Sequence, residues 1–157
     1  MKETREHTKK NKETSMAKTT NNATRIEPPP IKHTFTLEVE VPAWWPDYIA
    51  HCNDIFASIR IGYWAIAIDH DETRGWLAFE HGGDRHRPSD EVCARVARLW
   101  RRGEALPKYW MQIDTSVALR AWEQGVKRWG VDWHENGDAS NEEVALQFAL
   151  LGEERYA

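Results

Sequence analysis

The chain has 157 residues, 41% of them hydrophobic and 29% charged, with a net charge of −4. That suits one ordinary folded domain. Its two cysteines exclude a disulfide framework and a four-cysteine zinc site. The longest apolar run, Ile61 to Ile68, is far shorter than the roughly 20 residues of a membrane helix. With no leader-like apolar stretch near the N-terminus, the expected setting is the cytoplasm.

Residues 1–32 hold Lys, Glu, Thr and Asn, with no aromatic side chain. Such a segment buries too little surface to offset the entropy of ordering it, so it reads as a disordered basic tail. Pro28-Pro29-Pro30 forms a stiff linker at its end. Met16-Ala17-Lys18-Thr19-Thr20 also reads as an ordinary start, which leaves two starting points open. The tail carries a net +4, leaving −8 on residues 33–157. A domain so acidic is a poor candidate for non-specific nucleic-acid binding, which needs clustered positive charge.

The domain is expected over 33–157. Phe35, Leu37, Val39 and Val41 alternate with polar residues, predicting a half-buried strand that Pro42 ends. Pro46 suits the first turn of a helix whose apolar face is Ile49, Cys52, Ile55, Phe56 and Ile59. Arg60 to Asp69 is apolar on both faces and predicts a central strand. Residues 69–73 form a turn, and Arg74 to Glu80 returns as a third strand. Ser89 caps a helix to Arg102, with Val92, Val96, Leu99 and Trp100 as its stripe. Tyr109 to Ile113 reads as a short strand. Asp114-Thr115-Ser116 caps a helix with Leu119, Trp122, Val126 and Trp129 on one face, closed by Gly130. Ser140 to Glu143 matches a capping box, opening a last helix that is apolar most of the way round. The hairpin and the helices predict an α+β fold: a small antiparallel sheet of three or four strands with about four helices, mainly on one face.

An opening strand ending in Val41-Pro42, then Gly62-Tyr63-Trp64-Ala65, and the terminal Ala145-Leu146-Gln147, Leu151-Gly152-Glu153 and Tyr156 resemble small accessory proteins of tailed phages and prophages. The resemblance covers residues 34–80 and 140–157. Where that family would have a terminal glycine, this chain has Ala157. The resemblance implies a phage accessory protein, and many of these bind and disable a host factor; the lack of catalytic spacing in the sequence favours a non-enzymatic role. It carries no catalytic residues over.

Nine tryptophans, all after residue 43, are the clearest peculiarity. Trp122 and Trp129 lie on a helix stripe. Trp44, Trp45 and Trp133 have no such role and are candidates for a binding surface, since Trp is enriched in interface hot spots. The competing reading is that large rings fill a thin core. Arg95, Arg98 and Arg102 line one helix face and offer charge for a carboxylate or phosphate. The expected partner is a host or phage protein, with a small anionic ligand as the other candidate. A homo-oligomer stays open.

The histidines and carboxylates offer a second class of site. His70, in the hairpin turn, lies at the opposite end from His81, Asp84 and His86, about 20 Å away by strand rise. His51 and Asp54 share a helix face and are expected to meet His81, Asp84 and His86 instead. That set has the residue types for a small metal-dependent hydrolase, though not a known spacing. With no P-loop, dinucleotide fingerprint or nucleophilic triad, no cofactor and no metal are expected.

Overall fold

The structure, a computed structural model, describes residues 38–156. The expected tail and most of the expected opening strand lie outside the described residues. The described end of that strand, residues 38–42, is not strand.

Chain direction first turns at Pro42, whose carbonyl accepts from the Trp45 N–H and opens helix α1, Trp44–His51. The apolar face expected to run unbroken to Ile59 is split, because Cys52 is extended (ψ 125°) and ends the helix. A one-turn helix α2, Ile55–Ser58, follows, so Ile49, Ile55 and Ile59 still reach one core. Arg60 then takes a left-handed conformation (φ 57°), and Ile61–Tyr63 forms a 3₁₀ turn. This tight reversal delays the next strand: β1 is Ala65–Asp71 rather than beginning at Arg60.

β1 pairs antiparallel with β2, Gly75–Glu80, and β2 with β3, Trp110–Ile113. Among the described residues the sheet order is β1-β2-β3, so β2 is the central strand there and β1 has one strand neighbour, where the sequence predicts a central β1. Between β3 and the hairpin lies α3, Asp90–Arg101, with the Ser89 hydroxyl accepting from the Val92 N–H as the sequence indicates.

Alternation along β2 sends Leu77 to one face and Trp76 and Ala78 to the other. α3 covers the first face with Val96, Ala97 and Trp100. The second face takes α1, α2 and three helices that follow β3: α4, Thr115–Trp129, the one-turn α5, Trp133–Asn136, and α6, Ala139–Leu151. The fold is α+β with a three-stranded antiparallel sheet, most helices on one face and α3 on the other.

The register of β1 shifts once. Ala67 pairs with Ala78 and Asp69 with Leu77, leaving Ile68 as an extra residue. A bulge of this kind inverts side-chain parity beyond it. Simple alternation would leave His70 with Ile68 on the α3 face. After the bulge, His70 pairs with Trp76 and faces α1, while Asp69 turns to α3 and meets Arg101.

α4 buries Val117, Ala118, Ala121, Trp122 and Gly125; of the expected stripe Trp122 is core and Val126 packs against it, but Leu119 and Trp129 are exposed. The small residues matter because rings pack against them. On α6 the buried face is Glu143, Ala145, Leu146 and Gln147, with Leu150 only partly covered. Asp138, rather than Ser140, caps α6, accepting from the N–H groups of Ser140 and Asn141.

Candidate functional site

Two of the three expected binding tryptophans, Trp45 and Trp133, join Trp122 in one aromatic cage where α1, α4 and α5 meet. Trp45 projects inward from α1 and donates its indole N–H to the Ala118 carbonyl of α4 at 2.8 Å. Trp122 and Trp133 complete a triangle with it, with ring centres 5.1–5.7 Å apart in edge-to-face geometry. Trp45 is 0% exposed and Trp133 2%. Both expected surface residues are therefore core, a correction of the sequence reading. The polar loop around Trp133 hid a one-turn helix that points its ring at Gly125.

The indole N–H groups of Trp122 and Trp133 are buried with no hydrogen-bond partner among the described residues. Their positions are set by ring packing, not by polar anchoring. His134 fills the cage mouth. It stacks on Trp122 (5.6 Å, 29°) and meets Trp44 edge-on at 5.0 Å. Its Nε2 lies 3.4 Å from the Glu142 carboxylate. Burial pushes the Glu142 carboxyl up, against the pull of His134.

Outside the cage, exposed aromatic surface remains. Trp44 is 48% exposed and Trp129 39%, beside half-exposed Val131. Two grooves adjoin there. One, about 560 Å³, is lined by Glu40, Pro42, Trp122, His134 and Glu135. The other, about 530 Å³, is lined by Trp129, Trp133, Asn136 and Asn141. Val131 and Asp132 line both, so the grooves meet at these two residues. Trp44 touches His134 on one side, and Trp129 packs on Trp133 on the other, 5.9 Å between ring centres. Glu40, Asp132 and Glu135 make the surface acidic.

Arg95, Arg98 and Arg102 are all exposed on or just past α3. Arg102 pairs with Glu104 at 2.6 Å, and Arg98 borders a shallow groove with Ile68, Cys93 and Arg101. Because α3 covers the sheet face opposite the cage, these arginines and the tryptophans do not form one site.

The expected cluster of His51 and Asp54 with His81, Asp84 and His86 is not assembled. His51, at the end of α1, has its Nδ1 3.2 Å from Nε2 of His70 near the hairpin turn. His81 lies at the other end of β2, about 17 Å away by strand rise. There its Nδ1 accepts from the Gly83 N–H, and its Nε2 lies 3.3 Å from the Gly62 carbonyl oxygen, so the ring is satisfied within its loop. Asp54, Asp84 and His86 are exposed. α1 runs toward the turn end of the hairpin, and the chain returns through α2 before β1 starts, so the helix end meets His70 and not the loop after β2.

A polar cluster missed by the sequence reading sits at the end of β2. The buried carboxylate of Glu80 accepts from the Tyr156 hydroxyl and from Arg155 Nη1 at 2.9 Å. Arg85 lies 3.8 Å away, and its guanidinium also covers the Tyr109 ring. Gln147 of α6 fixes the same segment, accepting from the N–H groups of Arg155 and Tyr156 and donating to the Tyr156 carbonyl. Tyr156 stacks flat on Trp64. The bonds of this cluster tie β2 and α6 to residues 155–156, which marks it as a clasp for the C-terminal segment.

The chain matches no family model, no curated protein and no solved structure. No helix among the described residues is long and apolar enough to cross a membrane.

Proposed function

We propose that this chain is a non-enzymatic binding protein that occupies a partner protein through the aromatic edge formed by Trp44, Trp129 and Val131. The observation that carries this reading is the division of the tryptophans. Trp45, Trp122 and Trp133 are sealed into the core, yet two rings of the same neighbourhood remain half in water: Trp129 lines one of the adjoining grooves, and Trp44 packs against His134, which lines the other. Exposed Trp beside a rigid, well-packed base suits an interface hot spot, because the ring is already ordered before contact.

Three carboxylates around the grooves favour a partner that brings Lys or Arg beside an apolar patch. The net −8 of residues 33–157 favours the same partner at long range. The likeness of short motifs to phage and prophage accessory proteins supports a host factor as that partner. A small anionic ligand fits this acidic edge poorly. The separation of His51 from His81 removes the geometry on which the hydrolase alternative depended.

A photo-crosslinking residue placed at position 44 or 129 tests the reading in cells. Tyr63, 61% exposed and outside both grooves, serves as the control position. One protein crosslinked from 44 and 129 but not from 63 is the expected result. Equal labelling from all three positions would contradict it.

A further inference from the structure

We propose that His51 and His70 together bind a divalent transition-metal ion, supplying two imidazole ligands and leaving the other coordination positions to water or an incoming ligand. Two ring nitrogens, His51 Nδ1 and His70 Nε2, share a hydrogen bond at 3.2 Å, and a metal ion would take the place of its proton. Zinc–imidazole bonds of about 2.0–2.1 Å at a tetrahedral angle place two ligand nitrogens about 3.3–3.4 Å apart. The pair therefore stands close to that spacing.

The fold sets this approach. His70 faces α1 only because Ile68 is bulged out of the β1 ladder. The Asp69 carboxylate accepts the His70 backbone N–H at 2.9 Å, and its other oxygen pairs with Arg101, which pins the bulge. The His70 ring lies against Trp76, 4.4 Å between centres, and Trp76 rests edge-on against Phe56. His51 is the last residue of α1, where the helix dipole favours positive charge. The two rings stand at 84°, so they do not stack. The remaining nitrogens, His51 Nε2 and His70 Nδ1, can carry the ring protons while the facing pair donates to a metal.

No third His, Cys, Asp or Glu among the described residues joins the pair. Imidazole ligands select Zn²⁺, Ni²⁺ or Cu²⁺ over Mg²⁺ and Ca²⁺. An ion held by two side chains keeps open positions, which a second ligand such as a partner's carboxylate or imidazole can fill.

Calorimetric titration of the full chain with Zn²⁺, after chelator treatment, tests the site. One equivalent of Zn²⁺ is expected to bind, with no response to Mg²⁺. His51→Gln and His70→Gln should each weaken binding at least about tenfold, since even outer-shell changes cost that much at metal sites. Absence of a one-to-one event in the wild type would overturn the proposal, as would undiminished binding in the double variant. Should a variant fail to fold, imidazole NMR of the wild type decides. Zn²⁺ should first shift the ring signals of His51 and His70; first shifts at His81, His86 or His134 would overturn the assignment.

Discussion

Gly125 of α4 lies directly beneath the Trp133 indole, so close that a Cβ on this glycine would stand 2.3 Å from Cε2 of the ring. Ala in place of Gly within a helix normally stabilises by up to about 1 kcal/mol. Here the sign should reverse. Trp133 is only 2% exposed and packs against Trp45, Trp122 and His134, so its ring cannot yield without disturbing those contacts. Gly125→Ala should cost about 1–3 kcal/mol, the usual range for overpacking a core. Chemical denaturation measures it, and a stabilised variant would show that the cage is loosely filled.

Removing the ring tests the same cage from the other side. Trp133→Ala should cost about 3–5 kcal/mol, as expected for a buried Trp. Trp129→Ala, at the exposed rim, should cost far less. Equal losses in thermal melts would mean that the two rings do not differ in burial.

The C-terminal clasp is expected to contribute substantially to stability. Gln147→Leu keeps most of the side-chain volume but removes three hydrogen bonds to residues 155–156. Stranding those backbone groups should cost on the order of 2 kcal/mol or more. Amide exchange at Arg155 and Tyr156 should accelerate in parallel. Unchanged exchange would show that the segment is held by other contacts.

Acid should act through the helix caps. At Asp114, burial pushes the carboxyl up, but bonds from Ser116, Val117 and Gln112 outweigh it and hold the group below its ordinary 3.8. At Asp138 the Ser140 hydroxyl and the N–H groups of Ser140 and Asn141 lower the carboxyl similarly. A depressed carboxyl pKa contributes stability above the unfolded value, lost as pH falls through the folded one. Melting temperature should therefore fall as pH drops below 3.8, and Asp114→Asn with Asp138→Asn should flatten that limb. An equally steep limb in the double variant would assign acid sensitivity to other carboxylates.

Much of this architecture is legible in the sequence. Ser89 and Asp114 each announce a helix, and each side chain accepts the expected backbone N–H. Alternation and turn residues locate the hairpin. What alternation cannot show is Ile68 leaving the ladder, which moves His70 to the opposite face and joins it to His51. Nor do large apolar residues alone locate the buried face of α4. Ala118, Ala121 and Gly125 line it because their smallness admits the rings of Trp45 and Trp133, while Leu119 points outward. Arg60 in a left-handed conformation is similarly invisible to propensity, and it shifts the start of β1.

The claim that Trp44 and Trp129 form the contact surface is tested most directly by one binding titration. The partner crosslinked at position 44 would be titrated against the wild type and against a Trp44→Ala, Trp129→Ala double variant. The account predicts a loss of about 2 kcal/mol or more, roughly 30-fold in Kd, as for exposed aromatic hot spots. Melting temperature should stay within about 5 °C of wild type, matching a stability change near 1 kcal/mol. A Kd within about threefold of wild type for a folded double variant, under 1 kcal/mol, would contradict the account.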